Sequence, residues 1–594
     1  MRGVLRPVLV ALFLIQILLP ACQESSSGTM VRFEPDGGDF YALPYPMQAR
    51  YDADTRVIDL SDFPNPGDNY LVNQVLERAQ EPVDGFGLLP VVSMAFSARL
   101  DDEMLPDDVN APPPAQPLIF FLNVDPDSPG YGERIPAITA WYDSGGNYVG
   151  ENVLTFAPWN GFPLRPGTWW AAVVLRELRD ADGNRLGAPD ALVELLKGRG
   201  DSRLTETFAP LARYLDEASD LAVRDIAAAT VFRTGDPVAR MRADVLDAVA
   251  HFADRVTAAT PWSLIHSEDA MCVFTRDLWL PQFQQDEPPF AEAGSGRIAR
   301  DADGRLVLQR MEAVKTILVV PRGVQEPENG FPYLEYIHGS GGIATQIVDR
   351  GPVTEVGGSE TPWRGPGWIA ALHGYASGAQ AMPISPDRVP GVADYDYVQI
   401  TNIGIIVDNF TQGVIELALR RHALADVTLA ASACPGVLTS DGVVNIDTSV
   451  HATMGQSMGA MYTNMFGAVT EGTQAMIPTG SGGYWSFFIF STEFLEGAGD
   501  LVRSVIGAST DEPVSNLHPA MGLFQQFAEA VDPIVFVPRL VQDPLPGVNR
   551  KHMYVPHGRN DVYFSDMTQR AMASAYGIPL AGEPIDPLIP ANLS

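Results

Sequence analysis

The sequence predicts a multidomain protein in which a β-rich, sandwich-type N-terminal domain precedes an α/β domain with a mostly parallel sheet. The chain has 594 residues, more than one ordinary domain holds. Short apolar runs between turn residues dominate residues 31–195, whereas strand-like and helix-like runs alternate over residues 261–594. Apolar residues at helical spacing in residues 196–260 predict a helical connector between the two domains.

Composition excludes one class of partner. The chain carries 73 acidic and 39 basic residues, a formal net charge of −34. Nucleic acids are bound through lysine and arginine contacts to phosphates, so we expect no nucleic-acid partner. The hydrophobic fraction of 46% is that of a globular protein with real cores.

The N-terminus has the features of a bacterial lipoprotein signal peptide, predicted at residues 1–22. Arg2 and Arg6 precede the apolar stretch Val8–Leu19, which is too short to span a bilayer comfortably. The tetrapeptide Leu-Pro-Ala-Cys ending at Cys22 resembles a lipobox. The resemblance implies acylation of Cys22, a tether over residues 23–30, and a lipid-anchored position at the outer membrane or cell surface. An ordinary secretory signal stays the alternative.

Strands of the N-terminal domain are predicted at Val92–Phe96, Leu118–Val124, Ala137–Tyr142 and Trp169–Leu175. The stretch Pro163–Val174 resembles a late strand of bacterial immunoglobulin-like domains, which implies an Ig-like sandwich. One strand is predicted near Val231, inside the otherwise helical connector.

In the α/β domain, strands are predicted at Ala313–Val320, Tyr333–Ile337, Val398–Val407, Val443–Thr453 and His552–Pro556. Helices are predicted at Gln412–Ala425, Ala460–Val469 and Ser565–Tyr576. This alternation implies a mostly parallel sheet with helices on both faces.

The pentapeptide Gly455–Gly459 is the most informative motif. It has the form Gly-x-Ser-x-Gly, and it lies between a predicted strand and a predicted helix. This context is that of the nucleophile elbow of α/β-hydrolases, in which the turn holds the serine hydroxyl above the sheet edge. Ser457 is therefore the predicted nucleophile, and the backbone N–H of Met458 a predicted oxyanion donor.

A glycine loop precedes the elbow by more than a hundred residues. The predicted strand Tyr333–Ile337 runs into His-Gly-Ser-Gly-Gly, residues 338–342. Glycines after an early strand let backbone N–H groups approach an oxyanion, so Gly339, Ser340 and Gly341 form the predicted oxyanion loop. His338 is expected to hold this loop by hydrogen bonds.

A serine nucleophile needs a base and an acid that orients the base. In α/β-hydrolases the acid follows a late strand and precedes the histidine in the chain. Asp561 follows the predicted strand His552–Pro556 and is the predicted acid. Asp532 and Asp566 are weaker candidates, because the first follows a helix-like run and the second lies inside the next helix.

The base is not identified by the sequence. No histidine follows Asp561, and the remaining residues are rich in proline. We therefore expect a chain truncated before the last strand and its histidine. The alternative is a base from an unusual position, His557 or His552.

Several segments resemble a family of bacterial secreted, lipase-like α/β-hydrolases: Leu280–Gln284, Gln309–Glu312, Val319–Pro321, His338–Gly342, Gly455–Gly459 and His557–Asp561. The run Ala227–Pro237 is similar to the N-terminal regions of extracellular bacterial lipases. The resemblance implies ester hydrolysis through an acyl-enzyme at Ser457, with lipid or other apolar esters as substrates. Family members resemble one another in a Gly-His pair near the end, and this sequence stops before such a pair.

Two rival functions stay open: a serine peptidase on the same fold, and a binding or adhesion lipoprotein whose hydrolase domain has lost its chemistry. The apolar segment Tyr484–Phe494 is interpreted either as an acyl pocket or as a core or cap helix. Cys272 and Cys434 are far apart in sequence, and whether they pair is left open. We expect no metal and no cofactor, since no Cys/His ligand spacing occurs.

Overall fold

The computed structural model describes residues 28–200, 202–355 and 357–581. The predicted signal peptide, the lipidation site Cys22 and residues 23–27 of the tether lie outside the described residues. So does the proline-rich end, residues 582–594, on which the expected truncation depends. In the part of the chain that is described, no helix is both long and apolar enough to cross a membrane.

The strands are β1 Tyr51–Asp52, β2 Val57–Ile58, β3 Val92–Ala95, β4 Ile119–Asn123, β5 Arg134–Tyr142, β6 Val153–Pro158, β7 Trp169–Leu175, β8 Ile226–Arg233, β9 Thr257–Ala258, β10 Ser263–Ser267, β11 Met271–Gln282, β12 Arg310–Pro321, β13 Phe331–Ile337, β14 Ala376–Gln380, β15 Leu429–Ala430, β16 Val443–Val444, β17 Ile446–Gln456, β18 Thr473–Thr479 and β19 His552–Met553. The α-helices are α1 Tyr70–Ala79, α2 Asp190–Leu196, α3 Ser202–Glu217, α4 Pro237–Phe252, α5 Gln346–Asp349, α6 Pro366–Leu372, α7 Ile405–Ala423, α8 Met458–Val469, α9 Trp485–Ser491, α10 Ala498–Ile506, α11 Pro519–Ala528, α12 Pro533–Phe536, α13 Pro538–Val541 and α14 Asp566–Tyr576.

The N-terminal part is built on a six-stranded antiparallel sheet in the order β3-β6-β5-β4-β7-β8. All four predicted strands are present within a few residues of their predicted bounds. An Ig-like sandwich is not confirmed, because the strands pair in one continuous path. Strand β5 joins the two halves of this sheet. Its residues Arg134–Pro136 pair with β4, and its residues Ala137–Tyr142 pair with β6.

The stretch predicted as a helical connector is only partly helical. Helices α3 and α4 lie in it, but β8 between them pairs along its length with β7. The burial of β8 explains why it pairs with β7. Seven of the eight residues of β8 are buried, and an unpaired strand would leave their backbone groups without partners. Residues 226–233 therefore complete the N-terminal sheet.

The second sheet has nine strands and carries the predicted motifs. Its order is β10-β11-β12-β14-β13-β17-β18-β19, with β9 paired to β11. Strands β14, β13, β17, β18 and β19 are parallel to their neighbours in that series, whereas β10, β11 and β12 are antiparallel. The sheet is therefore mixed, and its parallel half holds the elbow.

Both faces of this sheet are covered. Along β11, Met271 and Val273 pack in a cluster with α5 and α6 on one face. Cys272 and Phe274 alternate with them and pack on the other face, against the segment from Leu424 to Val444. Side chains of a strand alternate between faces, so a run that is buried throughout requires two covering layers.

One predicted strand is wrong. Val398–Val407 is a loop that runs into α7, a helix of 19 residues with almost all of its side chains buried. A helix buried on every side has no apolar stripe, so its β-branched start at Ile405 and Ile406 resembles a strand. Strands β14 and β18 were not predicted, since neither carries a strong β-type run.

Cys272 and Cys434 form a disulfide, which settles the pairing left open by the sequence. It joins β11 to the loop before β16 across 162 residues, and both residues are fully buried.

Candidate active site

Ser457 lies at a sharp turn between β17 and α8. Its backbone has φ 56° and ψ −122°, a conformation that a non-glycine residue rarely adopts. The chain around it is packed too closely for side chains. A Cβ atom built on Gly455 would lie 2.1 Å from the carbonyl oxygen of Gly459, and one on Gly459 would lie 2.1 Å from that of Ile337. This is the geometry of a nucleophile elbow.

The backbone hydrogen bonds of the elbow tie it to β18 and to the first turn of α8. Ser457 N–H donates to the Thr479 carbonyl at 2.9 Å, which ties the elbow to the end of β18. The Ser457 carbonyl accepts from Ala460 N–H at 2.8 Å. Met458 is the first residue of α8, and among the described residues no protein group accepts from its N–H. A helix N-terminus with a free N–H is suited to hold a negative oxygen.

The predicted glycine loop lies directly against the elbow. A Cβ atom on Gly339 would be 3.3 Å from the Cβ of Ser457 and 2.7 Å from Gln456 Oε1. The next side chain, Ser340, donates its hydroxyl to Tyr397 Oη at 3.2 Å. Gly341 has φ +63°, and a Cβ there would meet Asp394. The structure thus brings together the two motifs that are separated by more than a hundred residues.

His338 holds this loop in place through hydrogen bonds of both ring nitrogens. Its Nε2 accepts a hydrogen bond from Met382 N–H at 3.0 Å, so its Nδ1 carries the proton and donates to the Gly339 carbonyl at 2.9 Å. Burial lowers the pKa of His338 to about 4, which keeps the ring neutral in this role. With both nitrogens engaged, His338 holds the loop, as expected, and is unsuited to take a proton from Ser457.

Asp561 lies at the same edge of the sheet. Its Oδ1 accepts from the N–H groups of Tyr563 and Phe564 at 2.9 and 3.1 Å. A Cβ atom on Gly480 would lie 3.9 Å from Asp561 Oδ2, and Gly480 follows the residue whose carbonyl binds Ser457 N–H. The carboxylate therefore points its second oxygen toward the end of β18, one strand away from the elbow.

The two weaker acid candidates are engaged elsewhere or exposed. Asp532 is completely buried and accepts from the N–H groups of Tyr484 and Trp485 at the start of α9. Within the segment Tyr484–Phe494, α9 packs Trp485 and Phe487 in the main core, as the core-helix interpretation expects, whereas Phe494 lies beyond the helix and is 46% exposed. Asp566 is exposed in the first turn of α14.

The structure does not identify a base. Among the described residues, no histidine forms a hydrogen bond with the Ser457 hydroxyl. His557 is an exposed residue of the loop after β19, and the carbonyl of its neighbour Pro556 accepts from Gly480 N–H at 3.5 Å. His557 therefore lies on the loop that reaches the elbow edge. His552 lies earlier, in β19, and pairs with Ala475.

Two features near the elbow were not predicted from the sequence. Arg350 Nη1 donates to Gln456 Oε1 at 3.2 Å, next to Ser457. Three aromatic side chains, Tyr395, Phe494 and Tyr563, meet beside the site, and each stands in a different loop. These contacts join distant segments, so no local pattern indicates them. In the described ranges, no group of three or more His, Cys, Asp or Glu residues is placed to hold a metal ion.

No protein-family model matches this chain, and no curated protein matches it either. Several solved structures are similar to parts of it. Acetyl xylan esterase from Paenibacillus sp. R4 is 14% identical, with 53% of this chain and 87% of that chain covered and a TM-score of 0.30. Acetyl xylan esterase 1 from Thermoanaerobacterium sp. JW/SL YS485 is 12% identical, with 57% and 98% covered and a TM-score of 0.29. Glucuronoyl esterase from Solibacter usitatus is 13% identical, with 57% and 78% covered and a TM-score of 0.26. These scores are low, and the α/β-hydrolase fold rests on the sheet and the elbow described above.

Proposed function

We propose that this chain is a serine carboxylic-ester hydrolase that acts through an acyl-enzyme at Ser457. One observation carries the proposal: Ser457 holds φ 56° and ψ −122° between a parallel strand and a helix N-terminus. Such a conformation costs about 1–3 kcal/mol at a non-glycine residue. A strained serine beside a glycine loop is the arrangement that projects a nucleophile toward backbone donors.

In the proposed reaction, Ser457 Oγ attacks the ester carbonyl carbon while its proton passes to a base. The N–H of Met458 and those of Ser340 and Gly341 stabilise the oxyanion that forms. The carbonyl–oxygen bond to the alcohol then breaks, and the alcohol leaves with that proton. Water attacks the acyl-enzyme in the same way and releases the acid and free Ser457.

We propose Asp561 as the acid and His557 as the base, the latter on position alone. The loop 556–561 carries both residues and contacts the end of β18. For His557 to act, its ring has to turn toward Ser457 Oγ when substrate binds, since such contacts tighten in the reactive complex. Changing His557 to alanine would then lower turnover at least a thousandfold.

Apolar esters are the proposed substrates, and the protein is proposed to be held at the bacterial envelope by lipid at Cys22. The substrate class is supported by the resemblance to lipase-like hydrolases. The location is supported by the lipobox pattern and by the buried disulfide Cys272–Cys434, which is typical of oxidising compartments.

A fluorophosphonate probe tests the nucleophile. We expect the wild-type protein to be labelled once, at Ser457, and the Ser457→Ala variant not to be labelled. Ser449→Ala is the matched control, because Ser449 is an exposed serine nearer the start of the same strand. Labelling that persists in Ser457→Ala would place the nucleophile elsewhere.

A binding or adhesion protein is the second candidate, favoured by the lack of a described histidine hydrogen-bonded to Ser457. It predicts a folded wild-type protein that neither reacts with the probe nor hydrolyses short esters. Turnover of a short ester that Ser457→Ala abolishes would exclude it.

A further inference from the structure

Three aromatic rings form an exposed cluster, here called the aromatic rim: Tyr395, Phe494 and Tyr563. The ring centroids of Tyr395 and Phe494 lie 5.2 Å apart, and those of Phe494 and Tyr563 lie 5.0 Å apart. The rings are tilted by 40° and 32°, so they pack side by side. Their exposed fractions are 40%, 46% and 41%.

Each ring is tied to a part of the candidate site. Tyr563 donates its N–H to Asp561 Oδ1 at 2.9 Å. Phe494 donates its N–H to the Val562 carbonyl at 2.9 Å, which fixes it to the same loop. Tyr395 follows Asp394, whose Oδ1 would lie 2.1 Å from a Cβ atom on Gly341. The aromatic rim therefore connects the loop of the proposed acid with the segment that faces the oxyanion loop.

Leaving these three rings exposed to water costs free energy, and a ligand that covered them would remove this cost. Each aromatic side chain buries 150–250 Å² when covered, and burial stabilises by about 25 cal/mol per Å². A contiguous exposed apolar patch commonly marks an interaction surface or a ligand site. Val562 and Leu495 extend the patch, since 47% and 38% of their surfaces are exposed.

The charged residues next to the three rings in sequence all have one sign. Five charged residues lie within two sequence positions of the three rings, and all are acidic: Asp394, Asp396, Glu493, Glu496 and Asp561. Carboxylates at this density repel an anionic ligand. The Tyr395 hydroxyl stays neutral, because burial and the neighbouring Tyr563 hydroxyl raise the pKa of Tyr395 above its ordinary value.

We infer that the aromatic rim is the binding platform for an uncharged apolar part of the ester, and that it favours flat, aromatic groups over small ones. This inference rests on the proposed function and specifies its substrate class. Ring faces that are held in place by neighbouring rings bind a flat apolar group with little loss of conformational freedom. The acidic surroundings exclude substrates that carry a negative charge at that end.

Kinetics of Phe494→Ala test the platform, since Phe494 contacts both other rings. We expect the ratio of kcat/KM for 2-naphthyl acetate to that for ethyl acetate to fall about tenfold, mainly through KM. Trp279→Ala is the control: Trp279 is 41% exposed on β11, on the antiparallel half of the sheet. The control should leave the ratio unchanged. An unchanged ratio in Phe494→Ala would overturn the inference.

A binding measurement separates this inference from the proposed chemistry. We expect 2-naphthol to bind to full-length Ser457→Ala about tenfold more tightly than to Ser457→Ala/Phe494→Ala by calorimetry. We also expect 2-naphthol-6-sulfonate to bind more weakly than 2-naphthol. If wild type has no esterase activity but these differences hold, the proposed function fails and the platform stands. Equal binding by both variants, or tighter binding of the sulfonate, would contradict the platform.

Discussion

At the scale of single residues, Ser457 is marked both by its sequence motif and by a strained backbone conformation. The Gly-x-Ser-x-Gly pattern could be interpreted because its five residues carry the requirements themselves: a positive φ angle at Ser457 and a glycine at each of two close backbone approaches, one within the motif and one to Ile337 of β13. The rings of the aromatic rim could not be predicted in this way. Tyr395 and Tyr563 stand in loops, Phe494 ends an apolar segment, and only the tertiary fold brings the three rings together.

The strain at Ser457 gives a stability prediction. Ser457→Gly should be more stable than Ser457→Ala by about 1 kcal/mol, because glycine adopts positive φ without a steric penalty. The measurement is the free energy of unfolding of both variants in urea. At Thr453, which pairs regularly with both neighbouring strands of β17, the order should be reversed: Thr453→Ala should be more stable than Thr453→Gly, since glycine weakens a regular strand. The same order at both positions would mean that the elbow is not strained.

At the scale of elements, strands bounded by turn residues were predictable, and so were the elbow helix α8 and helix α14. The failures have two physical causes. Helix α7 and strand β14 lie in the interior, where burial on all sides removes the period that distinguishes helix from strand. Strand β18 is only partly buried, and its seven residues contain no run of β-branched or aromatic side chains. Sheet order is also non-local: β14 inserts between β12 and β13, which no local pattern reports.

The disulfide between β11 and the loop at Cys434 should stabilise the large sheet. In the chain-entropy model, a cross-link that closes a loop of 162 residues contributes about 3–5 kcal/mol. The double variant Cys272→Ser/Cys434→Ser should therefore unfold at a lower urea concentration. Reductant should destabilise the wild type and leave the double variant unaffected. A wild type that is insensitive to reductant after complete reduction, verified by thiol titration, would contradict this expectation.

At the scale of the whole molecule, buried carboxylates join the N-terminal part to the part that contains the nine-stranded sheet. Glu529 accepts from the N–H groups of Leu88 and Leu89 at 2.5 and 2.8 Å. Glu512 accepts from Tyr148 and Val149 N–H, both at 3.0 Å. Burial raises the pKa of Glu529 to about 8. For Glu512, hydrogen bonds to His518 and to backbone N–H groups outweigh burial and lower the pKa to about 2.

Glu529 gives a prediction with a definite sign. Because its pKa rises from 4.5 to about 8 on folding, the folded state binds more protons in that interval. The free energy of unfolding therefore falls as the pH rises from 4.5 through 8. In Glu529→Gln this contribution is absent, so the variant should gain a few kcal/mol relative to wild type between pH 5 and pH 8.5.

Urea unfolding at pH 5 and pH 8.5 measures this difference. The exposed Glu328→Gln is the control and should stay within about 0.5 kcal/mol of wild type at both pH values. A Glu529→Gln variant whose difference from wild type shrinks at high pH would show that the buried carboxylate is stabilised in its ionised form.

The main hydrophobic core runs without interruption from Phe120 and Trp170 in the N-terminal sheet to Phe410 and Met465 in the helices beside the elbow. Neither half of the chain forms a closed hydrophobic core of its own. A chain cut at residue 261 would leave the faces of α4, α7 and α11 bare, and such a fragment should aggregate instead of folding. The N-terminal half is then a permanent part of the folded unit, and a chimera that exchanged one half without the other would lose the fold of both.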